Sequence, residues 1–175
     1  MGDALVDKVM ATIRDVPDFP KPGILFKDIT PVLANARLFS DVVNWVAGCL
    51  AGREVDQVVG MESRGFIFGA AVAPQLQAGF VPARKPGKLP APTTSVSYDL
   101  EYGSATLEIH VDAIRPGQKV VIVDDLLATG GTAKATIDLV HQLGGEVIAC
   151  IFLVELDFLN GRAQLGVPVQ SLVHY

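Results

Sequence analysis

Asp124 and Asp125 stand side by side at the end of the apolar run Val120-Val121-Ile122-Val123, and Thr129, Gly130, Gly131 and Thr132 follow just beyond them. A buried strand that ends in two carboxylates and turns through a glycine pair into a helix is an arrangement with chemistry in it. In an open α/β sheet, ligands bind outside the carboxyl ends of the strands. Backbone N–H groups from Thr129, Gly130, Gly131 and Thr132 would converge at the helix N-terminus, where the dipole favours an anion, and the two threonine hydroxyls add donors. A phosphate fits such a turn. The carboxylates cannot hold the phosphate themselves, but beside it they accept hydrogen bonds from vicinal sugar hydroxyls, directly or through Mg²⁺. Together the parts describe a cradle for a ribose 5-phosphate. Taken singly, the acid pair caps a strand and the Thr-Gly-Gly-Thr run starts a helix. A phosphorylation receiver domain also places paired acids after a strand, though near its first one. No GxxxxGK[ST] and no GxGxxG occurs, which excludes a Walker loop and a dinucleotide fingerprint.

A second signal is a charge anomaly. From Ser63 to Tyr98 this acidic chain carries no Asp or Glu, yet it carries Arg64, Arg84, Lys85 and Lys88. Arg64 follows Met61-Glu62-Ser63 at another expected strand end, and Gly65 lets the chain turn closely against an anion. A second phosphate pocket is implied. A solvated basic loop explains Lys85 and Lys88 equally well when they are taken alone.

These groups must be held by a scaffold, and the hydrophobic periodicity supplies one. Leu5, Val6, Val9, Met10 and Ile13 recur at helical spacing, as do Val42, Trp45, Val46, Cys49 and Leu50 behind the capping candidates Ser40 and Asp41. Between them the prolines at 17, 20, 22 and 31 with Gly23 read as a hood or loop. From Gln57 onward short apolar strands alternate with glycine turns and helices: Val58-Val59-Gly60, a helix from Phe66 to Leu76, and a strand from Gly79 to Ala83. The rhythm returns with the strand at 120–123, a helix carrying Ala133, Ile137 and Val140 and ending near Gly144-Gly145, and a strand from Val147 to Val154. Thr94 to Tyr98 and Ala105 to Ile109 alternate as a hairpin extending from the sheet. The expected fold class is α/β, a mostly parallel central sheet flanked by helices, with an N-terminal hood at about 1–35, a core at 57–155 and a flexible hairpin loop.

At 175 residues, half of them hydrophobic, the chain is expected to form one domain. A formal net charge of −5 argues against gripping a polyanion by phosphate neutralisation, so no nucleic acid is expected. The longest apolar run, Val147 to Val154, is far short of a membrane span, and the N-terminus lacks a basic and apolar leader, so a cytoplasmic protein with no membrane partner is expected. Cys49 and Cys150 read as reduced core thiols. His110, His141 and His174 have no mutual spacing for a metal or a triad, and no role is assigned to them.

The sequence resembles the adenine phosphoribosyltransferase family of the type I phosphoribosyltransferase fold over nearly its whole length. The resemblance runs through Asp18-Phe19-Pro20 with Pro22-Gly23, Glu62-Ser63-Arg64-Gly65-Phe66, Arg84-Lys85 with Gly87-Lys88-Leu89-Pro90, Ser97-Tyr98 with Leu100-Glu101-Tyr102-Gly103, the segment from Asp124 to Thr132, and Leu153-Val154-Glu155-Leu156. It implies a homodimeric enzyme of purine salvage that joins adenine to phosphoribosyl pyrophosphate, giving AMP and pyrophosphate, with Mg²⁺ carried by the substrate rather than by an assigned protein ligand. It further implies that Asp124 and Asp125 hold the ribose hydroxyls, that Ala128, Thr129, Gly130, Gly131 and Thr132 cradle the 5-phosphate, and that Glu62, Ser63 and Arg64 form the pyrophosphate loop with a cis peptide between Glu62 and Ser63. Arg84, Lys85 and Lys88 match pyrophosphate-binding positions, Arg84 reaching across a dimer interface. Adenine would lie between Phe26 and Leu156, its edge read partly from the backbone of Leu25 and Lys27; Lys27 stands where several members of the family carry Arg. Glu101 matches the catalytic acid that manages the purine proton, on a hairpin from Pro86 to Tyr102 that closes over the substrate.

Two other readings compete. An oxopurine phosphoribosyltransferase, acting on hypoxanthine, guanine or xanthine, usually has an acid where this chain has Ala128. A purine-sensing regulator that kept the fold would need an added nucleic-acid-reading module, and no basic reading helix is present in the sequence.

Overall fold

A computed structural model describes residues 2–99 and 104–175. Residues 1–45 and 46–175 form two compact units.

The first unit opens with α1 (Gly2–Thr12), on which Val9 is fully buried. The proline-rich stretch expected as loop contains regular structure. β1 (Arg14–Pro17) and β2 (Leu25–Asp28) pair antiparallel, Arg14 opposite Asp28 and Pro17 opposite Leu25. Their connection is closed from within: the Asp18 carboxylate accepts the Gly23 N–H at 2.7 Å, with Asp18 and Gly23 both at positive φ. Sequence periodicity missed the hairpin because two four-residue strands, one ending in proline, offer too few alternating positions to register. A short helix α2 (Thr30–Ala34) follows, with the Asp28 carboxylate accepting the Thr30 N–H at 2.9 Å.

The helix expected behind Ser40 and Asp41 begins earlier. α3 (Ala36–Gly48) starts after Asn35, whose side-chain oxygen accepts the Leu38 N–H at 3.1 Å. Asn35 is therefore the capping residue, and Ser40 and Asp41 lie inside the helix. Leu38, Val42, Val43 and Val46 are its buried stripe.

The second unit is the α/β body. Its elements are β3 (Gln57–Met61), α4 (Gly65–Val72) with a 3-10 turn at Ala73–Leu76, β4 (Gly79–Ala83), β5 (Thr93–Asp99), β6 (Ser104–His110), β7 (Lys119–Leu127), α5 (Gly131–Gln142), β8 (Glu146–Glu155) and β9 (Val169–His174). Five strands form a sheet in the order β4-β3-β7-β8-β9, and every pairing in it is parallel. The mostly parallel sheet flanked by helices is thus present, and β9 is an edge strand that the sequence reading did not include. Val59, Ile122 and Cys150 lie in register across the three central strands, all fully buried. Burial pushes the Cys150 thiol up to about 12, while Cys49 is only partly buried.

The hairpin is also present: β5 and β6 pair antiparallel from Thr93 opposite His110 to Asp99 opposite Ser104. It is tied to the sheet where β4 runs out, because Arg84 and Glu108 exchange both backbone hydrogen bonds, at 2.9 and 2.7 Å. Between β7 and β8 the ladder takes in one extra residue. Val120 faces Val147 and Val121 faces Ala149, leaving Ile148 as the bulge, and its carbonyl accepts a hydrogen bond from the Arg53 guanidinium at 3.0 Å.

Candidate active site

β3 and β7 are neighbours, so the segments that leave their carboxyl ends are brought together. A cavity of about 320 Å³ opens there, lined by Met61, Glu62, Ser63 and Arg64 from the β3 side and by residues 124–133 from the β7 side. Both sequence signals, the acid pair with its anion turn and the first of the basic residues, therefore line one pocket.

β7 continues past the acid pair to Leu127, further than the sequence suggested. Asp124 and Asp125 therefore sit within the strand and point to alternate sides of the chain. Asp125 is buried and pairs with Arg64, Nε to Oδ2 at 3.0 Å, and Asp124 Oδ1 accepts the Asp125 N–H at 2.9 Å. Burial pushes the Asp124 carboxyl well above its ordinary range, helped by the neighbouring Asp125 charge. Burial raises Asp125 as well, against the opposing pull of Arg64. The Asp124–Asp125 pair thus faces one guanidinium and leaves room for positive charge.

The approach of α4 to β7 depends on the absence of a side chain. A Cβ on Gly65 would lie 2.8 Å from Asp124 Oδ1 and 2.9 Å from the Val123 carbonyl. The turn after β7 makes the same kind of demand. Gly130 has φ of 90°, and α5 begins directly after it, so the N–H groups of its first turn have no acceptor within the helix. The Thr132 hydroxyl is 3.1 Å from the Tyr98 hydroxyl of β5, which ties the hairpin to the anion turn.

The basic residues gather on one acid. Glu62 accepts from Arg84 Nε at 3.3 Å and from the Lys85 N–H at 3.1 Å, and it forms an ion pair with Lys88. The Lys88 ammonium hydrogen-bonded to it holds the Glu62 carboxyl below the usual range. Glu62 is therefore the anchor that brings the basic residues of 84–88 to the β3 loop. The Glu62–Ser63 peptide is cis, as the resemblance implied.

Leu25, Phe26 and Lys27 belong to β2 of the first unit. There the Lys27 ammonium bonds Asp15 Oδ1 at 2.7 Å, and the Phe26 ring meets Phe19 edge-on at 5.1 Å between centroids. Leu156 belongs to the second unit, and its N–H bonds the Leu127 carbonyl at 2.9 Å, one residue from Ala128. Glu101 lies outside the described residues.

A model of the phosphoribosyl transferase domain matches residues 29–168. Over 170 residues the chain is 58% identical to the adenine phosphoribosyltransferase of Acidobacterium capsulatum, covering 97% of this chain and 94% of that one. The chain belongs to the adenine phosphoribosyltransferase family. Among solved structures, the adenine phosphoribosyltransferase of Thermoanaerobacter pseudethanolicus superposes with a TM-score of 0.95 at 54% identity, over 97% of this chain and 99% of that one. The Saccharomyces cerevisiae adenine phosphoribosyltransferase, complexed with an iminoaltritol bisphosphate and adenine, gives 0.92 at 41% identity, over 97% and 98% of the two chains.

Family motifs do not account for every residue that shapes this pocket. Gly161 packs backbone to backbone beneath the anion turn, where an added Cβ would fall 2.1 Å from the Ala128 carbonyl and 2.9 Å from Gly130 N. In the sequence Gly161 does not stand out, because a lone glycine in a polar stretch reads as an ordinary turn. Glu155 stands in the motif from Leu153 to Leu156 without a role of its own and Arg162 stands in no motif, since their partnership spans a turn that no local pattern reveals. His174, given no role, pairs with Asp157 at 2.8 Å.

Proposed function

We propose that this chain transfers the 5-phosphoribosyl group of phosphoribosyl pyrophosphate to adenine, giving AMP and pyrophosphate in purine salvage, and that it works as a cytoplasmic homodimer with Mg²⁺. Membership of the adenine phosphoribosyltransferase family over nearly the full chain carries the reaction. The pocket between the β3 and β7 ends supports the assignment of roles within it.

In this reading the 5-phosphate sits on the N-terminal N–H groups of α5 with the hydroxyls of Thr129 and Thr132, and Asp124 and Asp125 take the ribose hydroxyls. Ser63, Arg64, Arg84, Lys85 and Lys88 face the pyrophosphate, and Glu62 holds Arg84 and Lys88 ready for it. Mg²⁺ bound with the pyrophosphate would supply countercharge to its phosphoryl oxygens, and the acid pair, with Arg64 on Asp125, would be the donor set to face it. The bond from the anomeric carbon to pyrophosphate breaks, charge develops on the sugar, and a purine nitrogen forms the new bond. Oriented carboxylates and fixed cations stabilise these charges without reorganising at the moment of reaction. Phe26 and Leu156 hold the ring, Leu25 and Lys27 read its edge, and Glu101 receives the purine proton. Arg84 also serves the interface with the second copy. Among the described residues no helix is long and apolar enough to cross a membrane.

Ala128 favours adenine over an oxopurine, since it cannot carry a proton beside the base. The test is an assay of purified protein with phosphoribosyl pyrophosphate, Mg²⁺ and each purine base in turn. Hypoxanthine and guanine are expected to react slower than adenine by a factor on the order of 10³ or more, because a site built for a 6-amino group leaves its polar groups unpaired against a 6-oxo group. Equal rates with hypoxanthine would overturn the base assignment and leave the phosphoribosyl chemistry standing.

A further inference from the structure

Beyond the strand ends that line the pocket, the anion turn has a floor, and that floor is held by an ion pair outside the pocket lining. The turn after β8 places Gly161 so close to residues 128–130 that no side chain fits on either face: a Cβ on Gly161 would fall 2.1 Å from the Ala128 carbonyl, and one on Gly130 would fall 2.5 Å from the Gly161 carbonyl. The neighbouring Arg162 is fixed at three points. Its Nε and Nη2 bond the two carboxylate oxygens of Glu155 at 3.0 and 2.6 Å, and its Nη1 bonds the Val169 carbonyl at 3.1 Å. Glu155 is buried at the end of β8 and takes a further bond from the Ser171 hydroxyl at 2.5 Å. A bidentate pair of this kind fixes orientation as well as distance.

We propose that Glu155 and Arg162 are positioning residues for the phosphate turn: the pair clamps the turn after β8, and the Gly161 backbone in turn sets where the N–H groups of residues 128–131 point. The clamp touches no substrate. Removing it lets the Gly161 segment drift and loosens the anion cradle without altering the cations gathered on Glu62. This rests on the reading that the 5-phosphate binds at residues 128–132, and the experiment separates the two.

Binding of ribose 5-phosphate and of Mg²⁺-pyrophosphate is measured by calorimetry for the parent, T132V, G161A, R162M, R162K, E155Q and the E155Q/R162M double variant, with thermal denaturation alongside. T132V tests the cradle itself. G161A and R162M are expected to weaken ribose 5-phosphate by tenfold or more while pyrophosphate changes less than threefold. In kinetics the KM for phosphoribosyl pyrophosphate should rise more than kcat falls. R162K should recover only part of the loss, because an ammonium cannot form the two-pronged bond. If G161A does not fold, R162M and the double variant carry the test, the double variant losing less than the sum of its parts. The proposal is overturned if T132V loses ribose 5-phosphate while R162M binds it as the parent does, or if R162M loses both ligands equally. Should T132V bind ribose 5-phosphate as the parent does, the cradle assignment fails and the clamp's function fails with it.

Discussion

Gly65 brings the start of α4 close against Asp124, and Gly65→Ala tests how closely Asp124 must be held. The added Cβ would stand 2.8 Å from Asp124 Oδ1 and 2.9 Å from the Val123 carbonyl. An ordinary carbon–oxygen contact needs about 3.4 Å, so each is short by roughly 0.5 Å. The Val123 carbonyl belongs to a central strand paired on both sides and cannot retreat, so either α4 lifts or the Asp124 carboxylate swings away. Overpacking of this size costs about 1–3 kcal/mol, against a total stability of about 5–15 kcal/mol, so the chain still folds. For a chain of 175 residues each kcal/mol is worth about 2–4 °C, giving a fall in Tm of roughly 2–12 °C. With Asp124 holding a ribose hydroxyl as proposed, displacing its carboxylate by about half an ångström should lower kcat/KM for phosphoribosyl pyrophosphate by roughly tenfold, since a 1 Å misplacement can cost about 10². Calorimetry and initial rates with each substrate varied would check both numbers. A variant with the parent's Tm would refute the packing argument, and one with a lowered Tm but full kcat/KM would show that Asp124 need not be held so closely.

Three further outcomes are expected. Asp124→Asn should raise Tm at pH 7: burial raises the folded carboxyl above its unfolded value, so ionisation opposes folding, and the gain should shrink as pH falls through the raised value and vanish below the ordinary carboxylate range; a pH series of melting curves checks the sign, while the same variant should bind phosphoribosyl pyrophosphate more weakly. Glu101→Ala should lower kcat by roughly 10²–10⁴ with a smaller change in the adenine KM, and parent-rate turnover would remove the catalytic role. Tyr98→Phe removes the hydroxyl that meets Thr132 at 3.1 Å, and should lower stability by about 0.5–1.5 kcal/mol in denaturant titration.

The parts of this protein that were legible in its sequence are those whose signal is local. β7 and β8 announce themselves because strands buried on both faces read as unbroken apolar runs, and the anion turn because glycines and threonines follow the strand directly. The capping of α3 was misplaced because Ser40 and Asp41 are common caps, whereas Asn35 lies just after the short α2 and looked like part of the preceding loop. The basic residues 84–88 were visible as a charge anomaly, but their convergence on Glu62 was not, since it joins positions more than twenty residues apart. Gly161 carried no signal at all. Its constraint comes from a turn more than thirty residues earlier in the chain, and only the folded packing brings the two together.

The bulge at Ile148 has a further consequence, which is one of phase. Residues of a strand face alternate sides, so a single additional residue exchanges the two sides for everything after it. Ahead of the bulge, Val147 is level with Val120; beyond it the offset grows by one and persists to Glu155, opposite Leu127. Without Ile148, the buried acid of the Arg162 clamp would trade sides with Val154, and a carboxylate would replace an isopropyl group against the core. The Arg53 guanidinium that bonds the Ile148 carbonyl, outside the lining of the pocket, therefore guards a parity on which the far end of β8 depends.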